Sequence, residues 1–161
     1  MPVLTHEQLL SELETEARFA PSAEELMLQV VRRLRDNLPA YNWVGFYMIE
    51  ETPGAEPMLV LGPFVGADTP HKRIALNQGI CGAAASTGET VIVDDVNSDP
   101  RYLACSIETK SEIVAPVLVN GKVVGELDID SHQPAAFRGD DRKLVEACAT
   151  LVGKYMERTR A

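Results

Sequence analysis

Residues 111–131 constrain the fold more than any other part of the chain. Two β-type runs, Ser111 to Val119 and Lys122 to Ser131, are joined by Asn120-Gly121. Asn-Gly is the preferred pair for a two-residue type I′ turn, since both central residues must take positive φ. The spacing therefore predicts a tight antiparallel hairpin. Its second strand contains Glu126-Leu127-Asp128-Ile129-Asp130, a strict polar–apolar alternation. On a strand this sends Leu127 and Ile129 to one face and three carboxylates to the other, with neighbours about 7 Å apart. A two-residue loop sets Val119 against Lys122. A regular ladder then pairs Ile113 with Asp128 and Glu112 with Ile129, so Glu112 would point away from Asp128 and Asp130.

Around this hairpin the chain alternates helical and β patterns. Thr5 and Gln8 fit a capping box for a helix from about His6 to Phe19. Ser22 and Glu25 repeat the signature, and Leu26, Val30, Leu34 and Leu38 form an apolar helical face that ends at Pro39. Trp43 to Ile49, Met58 to Leu61, Arg73 to Leu76 and Thr90 to Val93 read as strands. Gly79-Ile80-Cys81-Gly82 opens a short Ala-rich helix that stops at Gly88. A last helix begins near Asp140-Asp141 with Leu144, Val145, Cys148, Leu151 and Val152 on one face. Helices at both ends of an antiparallel meander make an α+β domain with the helices covering one face of the sheet.

Charge and cysteine usage exclude several function classes. With 15 Lys+Arg against 24 Asp+Glu the formal net charge is −9. An acidic chain without a basic run repels nucleic-acid backbones instead of releasing their counterions. The longest apolar stretch, Trp43 to Ile49, is too short to span a bilayer. The opening residues lack the basic and apolar regions of a secretory signal. Three cysteines do not make a disulfide framework. A cytoplasmic protein with reduced thiols and no membrane or nucleic-acid partner is the expectation.

Few residues can carry chemistry. Cys81 follows a glycine at a helix start, where the dipole and free N–H groups favour a thiolate; the commoner case is a small buried hydrophobe between glycines. Cys105 lies in an irregular segment after a Pro-containing loop, a setting in which thiols are accessible. Cys148 belongs to the core stripe of the last helix. The row Glu126, Asp128 and Asp130, with Glu112 on the facing strand, is either a solvated outer face or a site: an ammonium pocket, a proton donor with raised pKa, or a hard-metal site. Without a Gly-punctuated calcium loop the metal reading ranks last. Trp43 and Tyr47 share one face of their strand and either wall a pocket or fill the core. His6, His71 and His132 read as solvated.

Four segments together resemble the free methionine-(R)-sulfoxide reductases, which are single GAF domains. They are Gly79-Ile80-Cys81-Gly82, Leu103-Ala104-Cys105, Ser111-Glu112-Ile113-Val114-Ala115-Pro116 and Gly125-Glu126-Leu127-Asp128-Ile129-Asp130-Ser131. Asn42-Trp43-Val44-Gly45-Phe46-Tyr47 and Leu61-Gly62-Pro63-Phe64 are similar to that family too. The resemblance covers nearly the whole chain. It implies one GAF-like domain over residues 1–161, with a central antiparallel sheet of about six strands and the N- and C-terminal helices packed on one face.

The resemblance also implies a site. Cys105 matches the catalytic nucleophile and Cys81 a second redox cysteine. Glu112, Asp128 and Asp130 match the acidic pocket, with Glu112 and Asp130 acting in catalysis and Asp128 holding substrate. Trp43 and Tyr47 match the aromatic wall around the substrate methyl. Thiolate attack on free methionine (R)-sulfoxide would release methionine and leave a Cys105 sulfenic acid; a disulfide would follow, reduced by thioredoxin, with no bound cofactor. GAF domains often pair through their terminal helices, which implies a homodimer. Many members carry a third cysteine ten residues before the one matching Cys81, and here that position is His71. Ser106 stands where Asp is common. With Cys148 on the core stripe, Cys81 is expected to be the resolving thiol and the one that ionises most readily. The alternative is a GAF ligand or redox sensor without turnover. Because the family pocket holds Glu112 together with Asp128 and Asp130, the hairpin must contain a β-bulge: one extra residue on either strand reverses the facing, and Pro116 and Gly125 mark where it is expected.

Overall fold

The computed structural model describes residues 4–103 and 107–160. Its elements run α1 (His6–Phe19), α2 (Ala23–Asn37), β1 (Trp43–Glu50), β2 (Met58–Val65), β3 (Arg73–Ala75), α3 (Gly79–Thr87), β4 (Val91–Val93), a 3₁₀ turn (Val96–Ser98), β5 (Ser111–Val119), β6 (Lys122–Ser131) and α4 (Gly139–Thr159). The strands form one antiparallel sheet in the order β3-β2-β1-β6-β5-β4. The α+β reading with six strands holds. No helix among the described residues is long and apolar enough to cross a membrane.

Local chemistry sets the element ends. Thr5 accepts from the Gln8 N–H and the Gln8 side chain accepts from the Thr5 N–H, a complete capping box at α1. At α2 the expectation is half met: Ser22 accepts from the Glu25 N–H, without the reciprocal bond. Asn120 and Gly121 have φ of 51° and 80°, the pair of positive values a type I′ turn requires.

The expected bulge is present. Val119 pairs with Lys122 and Leu118 with Val123, but Val117 pairs with Gly125, leaving Val124 as the extra residue on β6. Beyond it Ile113 faces Ile129 and Glu112 faces Asp130. Glu112 is thereby turned onto the face that carries Asp128 and Asp130.

The two faces of the sheet bury different things. On one, Val44, Phe46, Ile113, Ala115, Val117, Leu127 and Ile129 meet the apolar stripes of α1, α2 and α4. Cys148 lies inside this layer, as expected, and burial pushes its thiol up to about 12. The other face is covered by α3, whose Ile80, Cys81, Ala84 and Ala85 pack with Trp43, Tyr47, Leu59, Ile74, Val93 and Val114. The terminal helices share one face as read from sequence; that α3 closes the second face is new information from the structure.

Candidate active site

The carboxylate row is a buried feature. Glu126 is 0% exposed, Asp128 4%, and Asp130 and Glu112 5% each, which rules out the solvated outer face. Strand alternation on β6 points these three acids toward α3, and the bulge adds Glu112 from β5. On β1, Trp43, Gly45 and Tyr47 pair with Asp130, Asp128 and Glu126 and so lie on the same face. Gly45 must be glycine here: an added Cβ would lie 2.4 Å from the Trp43 ring. Its absence lets the indole lie along the strand, stacked on Tyr47 with ring centroids 6.2 Å apart and on Phe64 at 5.6 Å.

The polar ends of these aromatics hold the β2–β3 loop. Trp43 Nε1 donates to the Ala67 carbonyl at 3.0 Å, and the Tyr47 hydroxyl to the His71 carbonyl at 2.7 Å. Between that loop and the sheet opens a cleft of about 430 Å³. Asp128 and Asp130 are at its acidic side, with Trp43, Tyr47, Thr69, Thr109 and His132 also lining it and Arg35 supplying a cation. This is the size range of small-molecule sites. A narrow second cavity of about 20 Å³ adjoins Tyr47, His71, Cys81, Leu103, Glu112 and Asp128. Glu112, Asp128, Trp43, Tyr47, Asp130 and Cys81 are thus brought together. Cys105 lies outside the described residues, as does Ser106. The described chain on either side of it reaches both cavities: Leu103 lines the small one, Thr109 the cleft.

Burial dominates the electrostatics. It pushes the Glu112 carboxyl well above the usual range, and the carboxyls of Asp128 and Asp130 push it further. Asp130 is also raised well above it, by burial and then by Asp128. Asp128 is raised by burial, but hydrogen bonds from Glu112, Cys81 and Asp130 oppose that rise. Within the cluster Glu112 is therefore on the donor side and Asp128 on the acceptor side. Glu126 is raised well above its ordinary value by burial, opposed by the Cys81 thiol and reinforced by Asp128.

Cys81 corrects the sequence reading. Its Sγ donates to Asp128 Oδ2 at 3.4 Å, near the start of α3. Burial, with the carboxyls of Asp128, Glu126 and Glu112 adding to it, pushes the thiol well above the ordinary range. The helix start does not make it a thiolate, because the dipole acts on a group removed from water and surrounded by acids. His71 is likewise half-buried on the small cavity and not a solvated surface residue. Sulfur of Cys81 and one oxygen each from Glu112 and Asp128 lie within 4.8 Å of one another, a spacing that could hold a cation; His6, Asp140 and Asp141 form a second such group.

Arg35, Thr109 and the loop around Thr69 have no sequence signal for a site, since each reaches the cleft through tertiary packing from a different element. The lone cation Arg35 in the last turn of α2 also suits the helix dipole and is indistinguishable there from a capping charge.

The GAF domain family matches residues 22–156. A free methionine-R-sulfoxide reductase of Saccharomyces cerevisiae is 45% identical over 114 residues, 70% of this chain but 62% of the yeast protein. The Escherichia coli free methionine-R-sulfoxide reductase is 32% identical over 126 residues, 78% of this chain and 73% of that protein. Among solved structures, the Neisseria meningitidis free methionine-R-sulfoxide reductase in complex with its substrate superposes with a TM-score of 0.87 at 30% identity, covering 97% of this chain and 92% of that one. Likeness of this extent goes beyond a shared architecture, and the chain belongs to the free methionine-R-sulfoxide reductase family of GAF domains.

Proposed function

We propose that the protein reduces free L-methionine (R)-sulfoxide to L-methionine, with Cys105 as nucleophile. The observation that carries this is the trio Glu112, Asp128 and Asp130, buried together at the cleft and the small cavity beside it and all raised above the ordinary carboxyl range. A sulfoxide oxygen leaves only if protonated, and a carboxylic acid kept neutral by burial and by its neighbours supplies that proton. Glu112, raised by both other acids, is the donor. Asp128 and Asp130, where they line the cleft, receive the substrate ammonium, and Trp43 and Tyr47 enclose the methyl. Arg35, on the cleft lining beside His132, offers positive charge to the substrate carboxylate. A pocket matched to both charged ends of one amino acid excludes the peptide-bound residue.

Attack by the Cys105 thiolate on sulfur, with transfer of oxygen to Cys105, releases methionine and leaves a sulfenic acid. Cys81 condenses with it to a disulfide, and thioredoxin restores the thiols by exchange. Cys81 takes the role of the third cysteine that His71 replaces. Thioredoxin-coupled NADPH oxidation with the separate R and S epimers of free methionine sulfoxide tests the reading. Turnover of the R epimer alone is expected. Binding without turnover would instead make this a ligand-sensing GAF domain.

A further inference from the structure

The narrow cavity beside the cleft is walled by a mixed sulfur and oxygen donor set. Cys81 Sγ and one carboxyl oxygen each of Glu112 and Asp128 lie within 4.8 Å of one another and come from α3, β5 and β6. The three residues are 6%, 5% and 4% exposed. Cys81 Sγ stands 3.4 Å from Asp128 Oδ2. A tetrahedral zinc ion, with Zn–S of about 2.3 Å and Zn–O of about 2.1 Å, sets its sulfur and oxygen about 3.6 Å apart. One edge of such a site is therefore in place, held by the thiol proton. A second observation is independent of that spacing. Asp128 Oδ1 is buried and receives no hydrogen bond from any N–H, hydroxyl or thiol of the described residues. No Lys or Arg of the described residues forms an ion pair with Glu112, Glu126, Asp128 or Asp130. A buried acid with an open oxygen and no cation beside it favours whatever positive charge can reach it. Asp128 and Tyr47 line both the cleft and the small cavity, so the cleft leads to it.

We propose that Cys81, Glu112 and Asp128 form a binding site for a thiophilic divalent cation of the zinc class, entered from the cleft, and that the bound cation holds the enzyme inactive. The second half rests on the reductase reading; the first does not. One sulfur with two carboxylate oxygens suits Zn²⁺, whereas Mg²⁺ and Ca²⁺ take oxygen ligands. Three protein ligands leave one tetrahedral position, and a cavity of about 20 Å³ has room for the single water that fills it. The ion displaces the Cys81 proton and those its two acids hold, which pass to solvent, and nothing is oxidised or reduced. Once bound, it takes Glu112 out of proton donation, Cys81 out of thiol chemistry and Asp128 away from the substrate ammonium. It is an inhibitor that competes with substrate and has no part in the reaction. The group His6, Asp140 and Asp141 is a poorer candidate. It has no sulfur, the Asp140 side chain is 75% exposed, and both Asp141 oxygens are engaged, by the Tyr41 hydroxyl and the Arg138 N–H.

The test titrates the reduced, chelator-stripped full chain with Zn²⁺ against a chromophoric zinc indicator, and with Co²⁺ as a spectroscopic probe. One equivalent of Zn²⁺ should bind, and Co²⁺ should show the sulfur-to-cobalt charge-transfer band of one thiolate ligand. Cys81→Ser should abolish the band and weaken Zn²⁺ binding about 100-fold or more, at least the upper end of what loss of a supporting partner costs a metal site. The double variant Cys105→Ser/Cys148→Ala leaves Cys81 as the only thiol and should keep both band and stoichiometry. Absence of binding, a band that survives Cys81→Ser, or a band lost from the double variant overturns the site. Binding without the band, removed by His6→Ala, places the ion between α1 and α4 and overturns it as well. Methionine released from one equivalent of the (R)-sulfoxide by the reduced chain, with no coupling enzyme present, should fall in proportion to Zn²⁺ occupancy and return with chelator. Undiminished release at full occupancy overturns the inhibitory role. A chain that binds the ion yet never reduces the sulfoxide loses the reductase reading and keeps the site, whereas one that reduces the sulfoxide without binding the ion loses the site alone.

Discussion

Strand β6 presents two faces that are equally buried and chemically opposite. Leu127 and Ile129 point into the apolar layer of α1, α2 and α4. Glu126, Asp128 and Asp130, the residues between and beside them, point under α3, where buried oxygens of all three lack partners. The first face is what a fold needs: apolar area removed from water stabilises at about 25 cal/mol per Å². The second opposes folding, because each acid must shed water or keep a proton to stay there. A single alternating pentapeptide therefore carries the stability of the domain on its odd residues and its chemistry on its even ones. Substitutions should separate the two functions cleanly.

The largest expected effect is on activity from the acidic face. Glu112→Gln removes the proposed proton donor while keeping shape, and should lower kcat about 10²- to 10⁴-fold. Circular dichroism and thermal midpoint should show the fold intact or slightly stabilised. Retention of more than a tenth of the parent rate would mean that Asp130 or water provides the proton.

The opposite face should respond the opposite way. Leu127→Ala leaves a cavity in a layer where the side chain is fully buried, and should cost about 2–5 kcal/mol in denaturant unfolding. Turnover per folded molecule should stay within a factor of about two, since Leu127 points away from the cleft. A large loss of kcat at unchanged stability would show that the two faces are not independent.

How much of this contrast could be read from sequence depends on how local each cause is. The alternation in β6 and the Asn120-Gly121 turn are local, and they assign every side chain of the hairpin to a face once Val124 is recognised as a bulge residue. The demand for a bulge came from family likeness, because a regular ladder looks equally sound in sequence. Burial of the acidic face was not legible. It depends on α3 and on the 67–71 loop pinned by Trp43 and Tyr47, contacts between segments far apart in the chain. The Cys81 reading failed for the same reason. A helix start is visible locally, whereas the three acids that raise its thiol arrive from β5 and β6. Arg35 reaches the cleft from α2 by packing alone.

The next contrast concerns pH. Glu112, Glu126, Asp128 and Asp130 all have folded-state values raised above the ordinary 4.5 for Glu or 3.8 for Asp. A group raised on folding binds more protons in the native than in the unfolded state. Its stabilising contribution is complete below the unfolded value and is lost as pH rises through the folded one. The thermal midpoint should therefore fall from about pH 5 upward. Asp99 and Glu157 are lowered by Arg101 and by the Asn120 N–H, and their contributions vanish only in acid, below that window. Glu126→Met should flatten the decline and stabilise by about 1–3 kcal/mol at pH 8, the cost of one unpartnered buried polar group. A parent midpoint independent of pH between 5 and 8 would show that the acids are ionised or hydrated in the fold.

The smallest effect compares the two buried thiols, one on each face. Cys81 and Cys148 are both raised by burial, but acids contribute only at Cys81. Cys148 sits on the α4 stripe inside the apolar layer, where burial alone raises its thiol. It is a small hydrophobe there, and Cys148→Ala removes a single sulfur atom. The void left is about the size of a methyl group and should cost about 1 kcal/mol. That is within reach of urea unfolding with the slope held common to both proteins. Coupled turnover and the yield of the Cys81–Cys105 disulfide should both be unchanged, because α4 lies across the sheet from the cleft. The same substitution at Cys81 should abolish that disulfide. Loss of turnover in Cys148→Ala, or a Cys148-containing disulfide by mass spectrometry after one equivalent of substrate, would mean that a thiol from the apolar layer crosses to the acidic one. The division of labour between the faces of β6 would then be wrong at its simplest point.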